Sequence, residues 1–268
     1  MNISRVHSFS ATIQYKGTNY NGWQIQNGQA GKTIQGEINY ALKKITKSEL
    51  IHTIGSGRTD AGVHALGQVI RMDLPFMIEP IGLQRALNAL IPADIRILEV
   101  KKIDESFHPI YNAKWKEYIY CFSTSTIISP FDRELVAQYP YEIDIAAMKN
   151  GGRLFLGKHD FCNFSCTGTE VKSTIREIFE FSLEPINGGH PWINLASSGA
   201  TANYYLFRIR GSGFLKQMVR LIVGALFNLG RGKIKETDIA AALVAPYGVK
   251  KVGFVADPEG LYLAEVHY

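Results

Sequence analysis

IHTIGSGRTDAGVHALGQVIRMD, residues 51–73, contains two short apolar segments joined by a glycine-rich loop. The residue pattern of these segments is typical of extended chain, and it predicts β-strands over about residues 51–55 and 67–73. What flanks this stretch decides which fold the two strands belong to.

Strand-like and helix-like segments lie on both sides of the stretch. Alternation of apolar and polar residues predicts a strand over residues 8–15, and helical spacing predicts a helix over residues 33–46. Further on, a helix is predicted over residues 80–90 and an extended segment over residues 95–100. The order is therefore βαββαβ, that of a ferredoxin-like unit, which RNA-recognition domains and many enzymes share.

The rest of the chain repeats this order loosely. We predict an α+β fold of two ferredoxin-like (RRM-like) halves, with a mainly antiparallel central sheet flanked by helices and an active-site cleft between the halves. The predicted domains are residues 1–110, which carry the glycine-rich loop, and residues 111–268, which complete the cleft. In the second half, strands are predicted over residues 116–123, 175–183, 192–197, 204–210 and 262–266, and helices over residues 145–156, 214–229 and 236–244.

Composition indicates an ordinary globular protein, since 46% of the 268 residues are hydrophobic and 20% are charged. The first residues lack the apolar run of a secretory signal, and no stretch approaches the roughly 18 apolar residues that cross a bilayer. We expect a cytoplasmic protein with no membrane partner.

Three cysteines are too few for a disulfide framework, and we expect Cys121, Cys162 and Cys166 to be free thiols. His159 stands three residues before Cys162, but a metal site needs a fourth ligand and the chain has no Cys-x-x-Cys pair. We therefore expect no metal.

The formal net charge is +5 and the sequence pI is about 9.0. Any one basic cluster fits a solvated helix face or strand edge as well as it fits a phosphate contact, and only the sum of clusters and aromatic side chains favours nucleic acid. The clusters are Lys43, Lys44 and Lys47; Lys101 and Lys102; Lys114 and Lys116; Arg208 and Arg210; and residues 231–235, with aromatic residues Tyr111, Trp115, Tyr118, Tyr120, Tyr204 and Tyr205 among them.

The loop itself, residues 57–64, carries an arginine two positions before an aspartate, between two glycines. Such a turn can present the Asp60 carboxylate beside the Arg58 cation. For so short a motif taken alone, the favoured interpretation is a surface turn in which both side chains are solvated. The loop alone leaves both interpretations open.

The helix predicted over residues 214–229 has one apolar stripe, which we assign to the core. Lys216 and Arg220 lie on the opposite arc, where they face either solvent or a cleft. Gly224 follows Arg220 by one turn, and its missing side chain would let another segment approach the backbone.

Taken together, the motifs resemble the bacterial tRNA pseudouridine synthase A family, nearly from end to end of the chain. Several separate motifs in the right order are more specific than the loop alone. They are residues 15–24 (YKGTNYNGWQ), 57–64 with 67–69, 88–92 before Asp94, Phe107-His108, 113–120, 159–161, Phe214-Leu215, Met218-Val-Arg220, Gly224 and 259–262.

The resemblance implies roles for matching residues. Asp60 would be the nucleophile, attacking the uridine at either C1′ of the sugar or C6 of the ring. Arg220 would be the active-site arginine and the ion-pair partner of Asp60. Arg58 would displace the target base, and Tyr118 would stack on the uracil and take part in proton transfer.

The substrate implied by the resemblance is tRNA, modified at uridines 38, 39 and 40 of the anticodon stem-loop and held by a basic cleft over the tRNA body. The family is homodimeric, and its reaction needs no cofactor or metal. Ile110 stands where the family commonly has an arginine, so one phosphate contact is lost or is supplied by Lys114 or Lys116.

Two other classes of protein fit parts of the pattern. A noncatalytic RNA-binding protein with RRM-like halves would use the same basic and aromatic residues but has no need of Asp60, Arg58 and Arg220 in one pocket. A glycosidase would pair Asp60 with Asp73 or Asp94, although nothing in their spacing predicts facing carboxylates.

Overall fold

The structure is a computed structural model, and it describes residues 7–26, 31–49, 51–166, 171–186, 203–246, 248 and 252–268. The chain divides into two compact units. Unit 1 comprises Met1–Lys114 and Leu263–Tyr268, and unit 2 comprises Trp115–Tyr262. The last six residues thus belong to the first unit, whereas the division into domains at residues 110 and 111 stays a prediction.

The described residues form ten strands and five α-helices, which confirms a mixed α and β chain. In chain order they are β1 (His7–Tyr15), α1 (Ile34–Thr46), β2 (His52–Gly55), β3 (His64–Leu74), α2 (Pro80–Leu90), β4 (Ile95–Lys102), β5 (Trp115–Ser123), β6 (Ala137–Gln138), α3 (Ile145–Gly152), β7 (Gly157–Asp160), β8 (Ile175–Pro185), β9 (Tyr204–Gly211), α4 (Met218–Gly230), α5 (Glu236–Val244) and β10 (Leu261–His267). No helix in these ranges is both long and apolar enough to cross a bilayer.

In unit 1, the sheet is built around β1. Strands β3 and β4 flank β1 and are antiparallel to it, and β2 is antiparallel to β3. Alternate β1 side chains are buried, as the polar–apolar alternation predicts. The apolar faces of α1 and α2, which include Ile38, Leu42, Leu83 and Leu87, are completely buried.

In unit 2, the strands follow the order β5-β9-β8-β7, all antiparallel, with the short β6 parallel to β5. The core contains an aromatic cluster in which the Phe227 ring stacks on Tyr139 at 3.9 Å between centroids. Phe122 meets Phe227 edge-on at 5.0 Å. Stacked and edge-on aromatic contacts of this kind add to the stabilisation from burial.

Two helices of unit 2 differ from the sequence prediction. Helix α4 begins at Met218 and not at residue 214, because Gln217 has a left-handed backbone, with φ 60°, which interrupts the helical path. Helix α3 ends at Gly152 with a 3₁₀ turn after it, since the consecutive glycines 151 and 152 are poor helix formers. The strand predicted over residues 192–197 lies outside the described residues.

Helix α4 lies directly against the extended segment 252–257. A Cβ atom on Gly224 would be 1.9 Å from the carbonyl oxygen of Phe254, which no side chain tolerates. The Asn228 amide donates to the Val252 carbonyl oxygen at 3.0 Å, one turn further on. The close approach inferred for Gly224 is therefore made by protein backbone within unit 2.

We predict that Gly224→Ala lowers the free energy of unfolding by about 1–3 kcal/mol, because the added methyl group forces the helix and the Phe254 backbone apart. Urea denaturation measures this change. Gly82→Ala is the matched control, since a Cβ there meets only Ile78, at 4.0 Å. That substitution should stabilise by up to about 1 kcal/mol through helix propensity, and equal effects at both positions would contradict the prediction.

Candidate active site

The loop after β2 is held at its start by the side chain of Gln68, which is fully buried on β3. The Gln68 amide nitrogen donates to the Gly57 carbonyl oxygen at 2.6 Å, and its oxygen accepts from the Gly57 N–H at 3.3 Å. The same oxygen accepts from the Ser56 hydroxyl. One amide group thus provides hydrogen-bond partners for the loop backbone at the point where the pairing of β2 with β3 ends.

The middle of the loop rests on residues 15–24, the first segment of the family resemblance. Tyr15 and Thr59 share a hydrogen bond between their hydroxyl groups at 2.9 Å. The Trp23 N–H donates to the Thr59 carbonyl oxygen at 3.1 Å, and the Gly62 N–H donates to the Tyr20 carbonyl oxygen at 3.3 Å. Burial raises the pKa of Tyr15, so its hydroxyl stays neutral.

Two glycines let these segments touch. Gly22 has a φ of +83°, and a Cβ on it would be 2.4 Å from the Thr59 carbonyl oxygen. A Cβ on Gly17 would be 2.0 Å from the Val63 carbonyl oxygen. The Gly17 N–H donates to Nδ1 of the buried His64 at 3.0 Å, so that ring nitrogen carries no proton.

Asp60 lies in the middle of this supported loop and its side chain is partly buried. Its neighbour Thr59 is buried, whereas Arg58 and Ala61 are exposed. The backbone on both sides of Asp60 is therefore fixed while the loop faces outward. A carboxylate placed in this way can act as a nucleophile or as a general base.

The two carboxylates considered for a glycosidase pair have other partners. Asp94 accepts from the Tyr20 hydroxyl at 2.5 Å. Asp73 accepts from the Ser8 hydroxyl at 2.7 Å and from Arg71 Nε at 2.9 Å. Both carboxylates therefore have structural hydrogen bonds within unit 1.

In unit 2, the ring of Tyr118 is fixed by its strand and by one aromatic contact. Tyr118 lies on β5 opposite Ile209 of β9 and is 7% exposed. The Phe214 ring meets it edge-on, with 4.9 Å between centroids and 74° between planes. This contact fixes the orientation of the phenol ring. The backbone of β5 determines where its hydroxyl group lies.

Arg220 lies in the first turn of α4 and is tied to segment 252–257 by two hydrogen bonds. Its Nε donates to the Ala256 carbonyl oxygen at 2.6 Å, and the Ala256 N–H donates to the Arg220 carbonyl oxygen at 3.2 Å. The guanidinium plane therefore has a fixed orientation. Burial raises the pKa of nearby Glu259, and the positive charge of Arg220 opposes that shift.

The two lysines predicted to bind substrate lie in different environments. Lys114 is exposed at the end of unit 1, and its Nζ donates to the Tyr268 carbonyl oxygen at 3.0 Å. Lys116 on β5 of unit 2 is only 9% exposed. Burial, and then the charge of Arg176, lower the pKa of Lys116 to about 8. Of the two, only Lys114 is at the surface where a phosphate could reach it.

The structure thus places Arg58, Asp60 and Lys114 on unit 1, and Tyr118, Lys116 and Arg220 on unit 2. Sequence reasoning missed the supporting side chains of the loop, above all Gln68. Its signal is a polar residue that alternates with Ile70, Met72 and Leu74 on the buried face of β3.

Metal-binding side chains do not cluster in the part of the chain that the structure describes, where no group of three or more His, Cys, Asp or Glu residues is found. Cys121, Cys162 and Cys166 are free thiols, as expected from their number. Burial raises the pKa of the Cys121 thiol to about 12, which leaves it unreactive.

The comparisons with known proteins agree over almost the whole chain. A tRNA pseudouridine synthase A of Bacillus pumilus (strain SAFR-032) is 40% identical over 258 residues, which cover 96% of this chain and 97% of that protein. One of Lacticaseibacillus casei (strain BL23) is 35% identical over 260 residues, covering 97% of this chain and 99% of that protein.

Among solved structures, a chain of a Cbf5-Nop10-Gar1 complex matches with 14% identity and a TM-score of 0.30, covering 95% of this chain and 57% of that chain. A likeness at that score carries no argument about the fold. The family described as tRNA pseudouridine synthase matches residues 11–112 and 153–268. The chain therefore belongs to the tRNA pseudouridine synthase family.

Proposed function

We propose that this protein isomerises uridine to pseudouridine at positions 38, 39 and 40 of the tRNA anticodon stem-loop. The observation that carries the proposal is the Asp60 loop, whose backbone is fixed on both sides of a partly buried carboxylate. Membership of the family and relatives named tRNA pseudouridine synthase A over nearly the full chain support the same reaction.

In the proposed reaction, the Asp60 carboxylate attacks the uridine at C1′ or C6 while the glycosidic C–N bond breaks. The detached uracil turns within the site and bonds to C1′ through its C5 atom, and the bond between Asp60 and the substrate breaks, which frees the carboxylate. The proton on C5 is then removed, and a proton is gained at the former N1 position. Apart from this exchange of one proton, all atoms of the nucleoside are retained and no electrons are gained or lost, so the isomerisation requires no oxidant, reductant or nucleotide energy.

The other roles follow from the resemblance and the local geometry. Arg220 is the proposed active-site arginine, and its fixed guanidinium suits a cation that must face an anionic group. Tyr118 is proposed to stack on the uracil and to take part in the proton transfer. Exposed Arg58 suits a side chain that displaces the target base. Lys114 suits a phosphate contact better than buried Lys116 does.

The finer fold assignment is also part of the proposal. In unit 1, the chain order β1-α1-β2-β3-α2-β4 and the sheet order β4-β1-β3-β2 support a ferredoxin-like half. We assign the second such half to residues 111–268. A cytoplasmic homodimer is proposed from the resemblance to the family.

Replacement of Asp60 tests the nucleophile. With tRNA that carries tritium at uridine C5, Asp60→Ala should release tritium more than about 1000-fold more slowly than the wild type, because the attacking group is gone. Glu79→Gln is a matched control, since Glu79 is an exposed carboxylate of unit 1 that makes no side-chain capping bond. Undiminished release by Asp60→Ala would refute the assignment, and tight tRNA binding without release by the wild type would support the noncatalytic RNA-binding alternative.

Arg220→Leu should lower kcat about 100-fold or more while changing the Kd for tRNA by less than about 3-fold, because a cation directed at developing charge acts in the reaction step. Single-turnover kinetics and a binding assay separate the two effects. Arg231→Leu removes one charge at the other end of α4 and should leave kcat unchanged. A fall in affinity alone would reassign Arg220 to a phosphate contact.

Gln68→Leu should lower the free energy of unfolding by about 1–3 kcal/mol, because it removes the partner of the buried Ser56 hydroxyl and of the partly buried Gly57 backbone. It should also slow tritium release, since the Asp60 loop loses its anchor. Gln84→Leu is the control: Gln84 also donates to backbone carbonyl groups, but it is less buried than Gln68 and one of these bonds is exposed to water. Equal losses of stability in the two variants would show that the hydrogen bonds of Gln68 have no special role.

A further inference from the structure

The loop that follows β4 holds a tyrosine almost entirely in solvent. Tyr111 is 82% exposed. Its ring lies over the ring of His108, with 4.3 Å between centroids and 33° between planes. One face of an aromatic pair is thus presented at the surface of unit 1.

The turn that carries this pair is closed by its own hydrogen bonds. The His108 N–H donates to the Asn112 side-chain oxygen at 2.6 Å, and the Asn112 N–H donates to the His108 carbonyl oxygen at 3.0 Å. The Ile110 N–H donates to Nδ1 of His108 at 3.2 Å. This bond, in which Nδ1 is the acceptor, fixes the imidazole ring beneath Tyr111.

The start of the same loop is held by a charged side chain from the sheet. Arg71 of β3 donates through Nη1 to the carbonyl oxygens of Glu105, at 2.7 Å, and Phe107, at 2.6 Å. Asp73 orients the guanidinium through Nε. Hydrogen bonds from a cation are stronger than those between neutral groups, so this clamp restricts the loop next to the aromatic pair.

Tyr268 connects this loop to the start of the Asp60 loop. Its ring packs on Phe107 with 4.9 Å between centroids, and its hydroxyl donates to the Pro109 carbonyl oxygen at 2.8 Å. Burial raises the pKa of Tyr268, and a hydrogen bond with Ser56, which also bonds to Gln68, opposes that shift. The aromatic pair and the Asp60 loop therefore belong to one hydrogen-bonded framework within unit 1.

We propose that Tyr111, supported by His108, is a stacking platform for an unpaired base of the RNA substrate near the target uridine. The proposal rests on the proposed function. An exposed aromatic face binds unpaired bases by stacking, and it does so with little sequence preference, which suits an enzyme that acts on several neighbouring positions. Its apolar neighbour Ile110, 44% exposed, carries no charge for a phosphate, so the turn contacts RNA through Tyr111.

The platform is tested by binding of an anticodon stem-loop RNA with unmodified uridines at positions 38–40. All variants are made in the Asp60→Ala background, so that no turnover occurs. Tyr111→Ala should raise Kd by roughly 5- to 30-fold, Tyr111→Leu should recover little of this loss, and Tyr111→Phe should bind within about 2-fold of the parent, because only an aromatic face stacks. Tyr40→Ala, at an exposed tyrosine on α1, is the control and should bind as the parent does.

Salt dependence separates stacking from phosphate contact. The slope of log Kd against log salt concentration should be the same for Tyr111→Ala and its parent, because no counterions are released by a neutral ring. Unchanged affinity in Tyr111→Ala, full recovery in Tyr111→Leu, or a reduced salt slope would each overturn the proposal. Tritium release by the wild-type protein, which retains Asp60, tests the proposed function separately. Failure of the stacking proposal therefore does not imply failure of the proposed function, or the reverse.

Discussion

The geometry around Asp60 depends on how the chain satisfies its backbone where β2 ends. Strand pairing ends near Gly55 and resumes at His64, so the partly buried backbone groups at the start of the loop need partners from elsewhere. Gln68 supplies a donor and an acceptor from one side chain, because an amide group carries them on two adjacent atoms. The loop can therefore project a carboxylate without being either a strand or a freely moving turn.

Unit 2 meets a similar requirement in a different way. Arg220 is not held by a side-chain amide but by an extended segment that exchanges two hydrogen bonds with it through Ala256. That segment can come so close only because Gly224 has no side chain. Packing and orientation are thus coupled: the contact that fixes α4 in its unit also fixes the direction of the guanidinium group.

The sequence predicted the bounds of a helix or strand well where local interactions determine them. Helical spacing placed the start of α1 at residue 33, one residue before its observed start at Ile34, and the structure shows the Thr33 side chain capping the helix there. The start of α4 was predicted wrongly, since a left-handed Gln217 has no sequence signature of the kind that glycine gives. Strand β7 was missed because it is short and mostly exposed and is defined by pairing with β8. In the candidate site, Asp60 stood out through its motif, whereas the role of Gln68 depends on which backbone the fold brings beside it.

The basic residues likewise differ between the sequence, where they can only be counted, and the structure, where their partners are seen. Arg208 and Arg210 form one of the basic clusters in the sequence, yet both are bonded to Glu117, whose side chain is 4% exposed. Arg71 donates to backbone carbonyl groups and Lys116 is buried. These four basic side chains therefore maintain the fold, and the basic clusters of the sequence overstate the positive charge that an RNA backbone would meet at those positions. Recognition in this chain then has to draw more on shape and on exposed aromatic faces than its composition alone suggests.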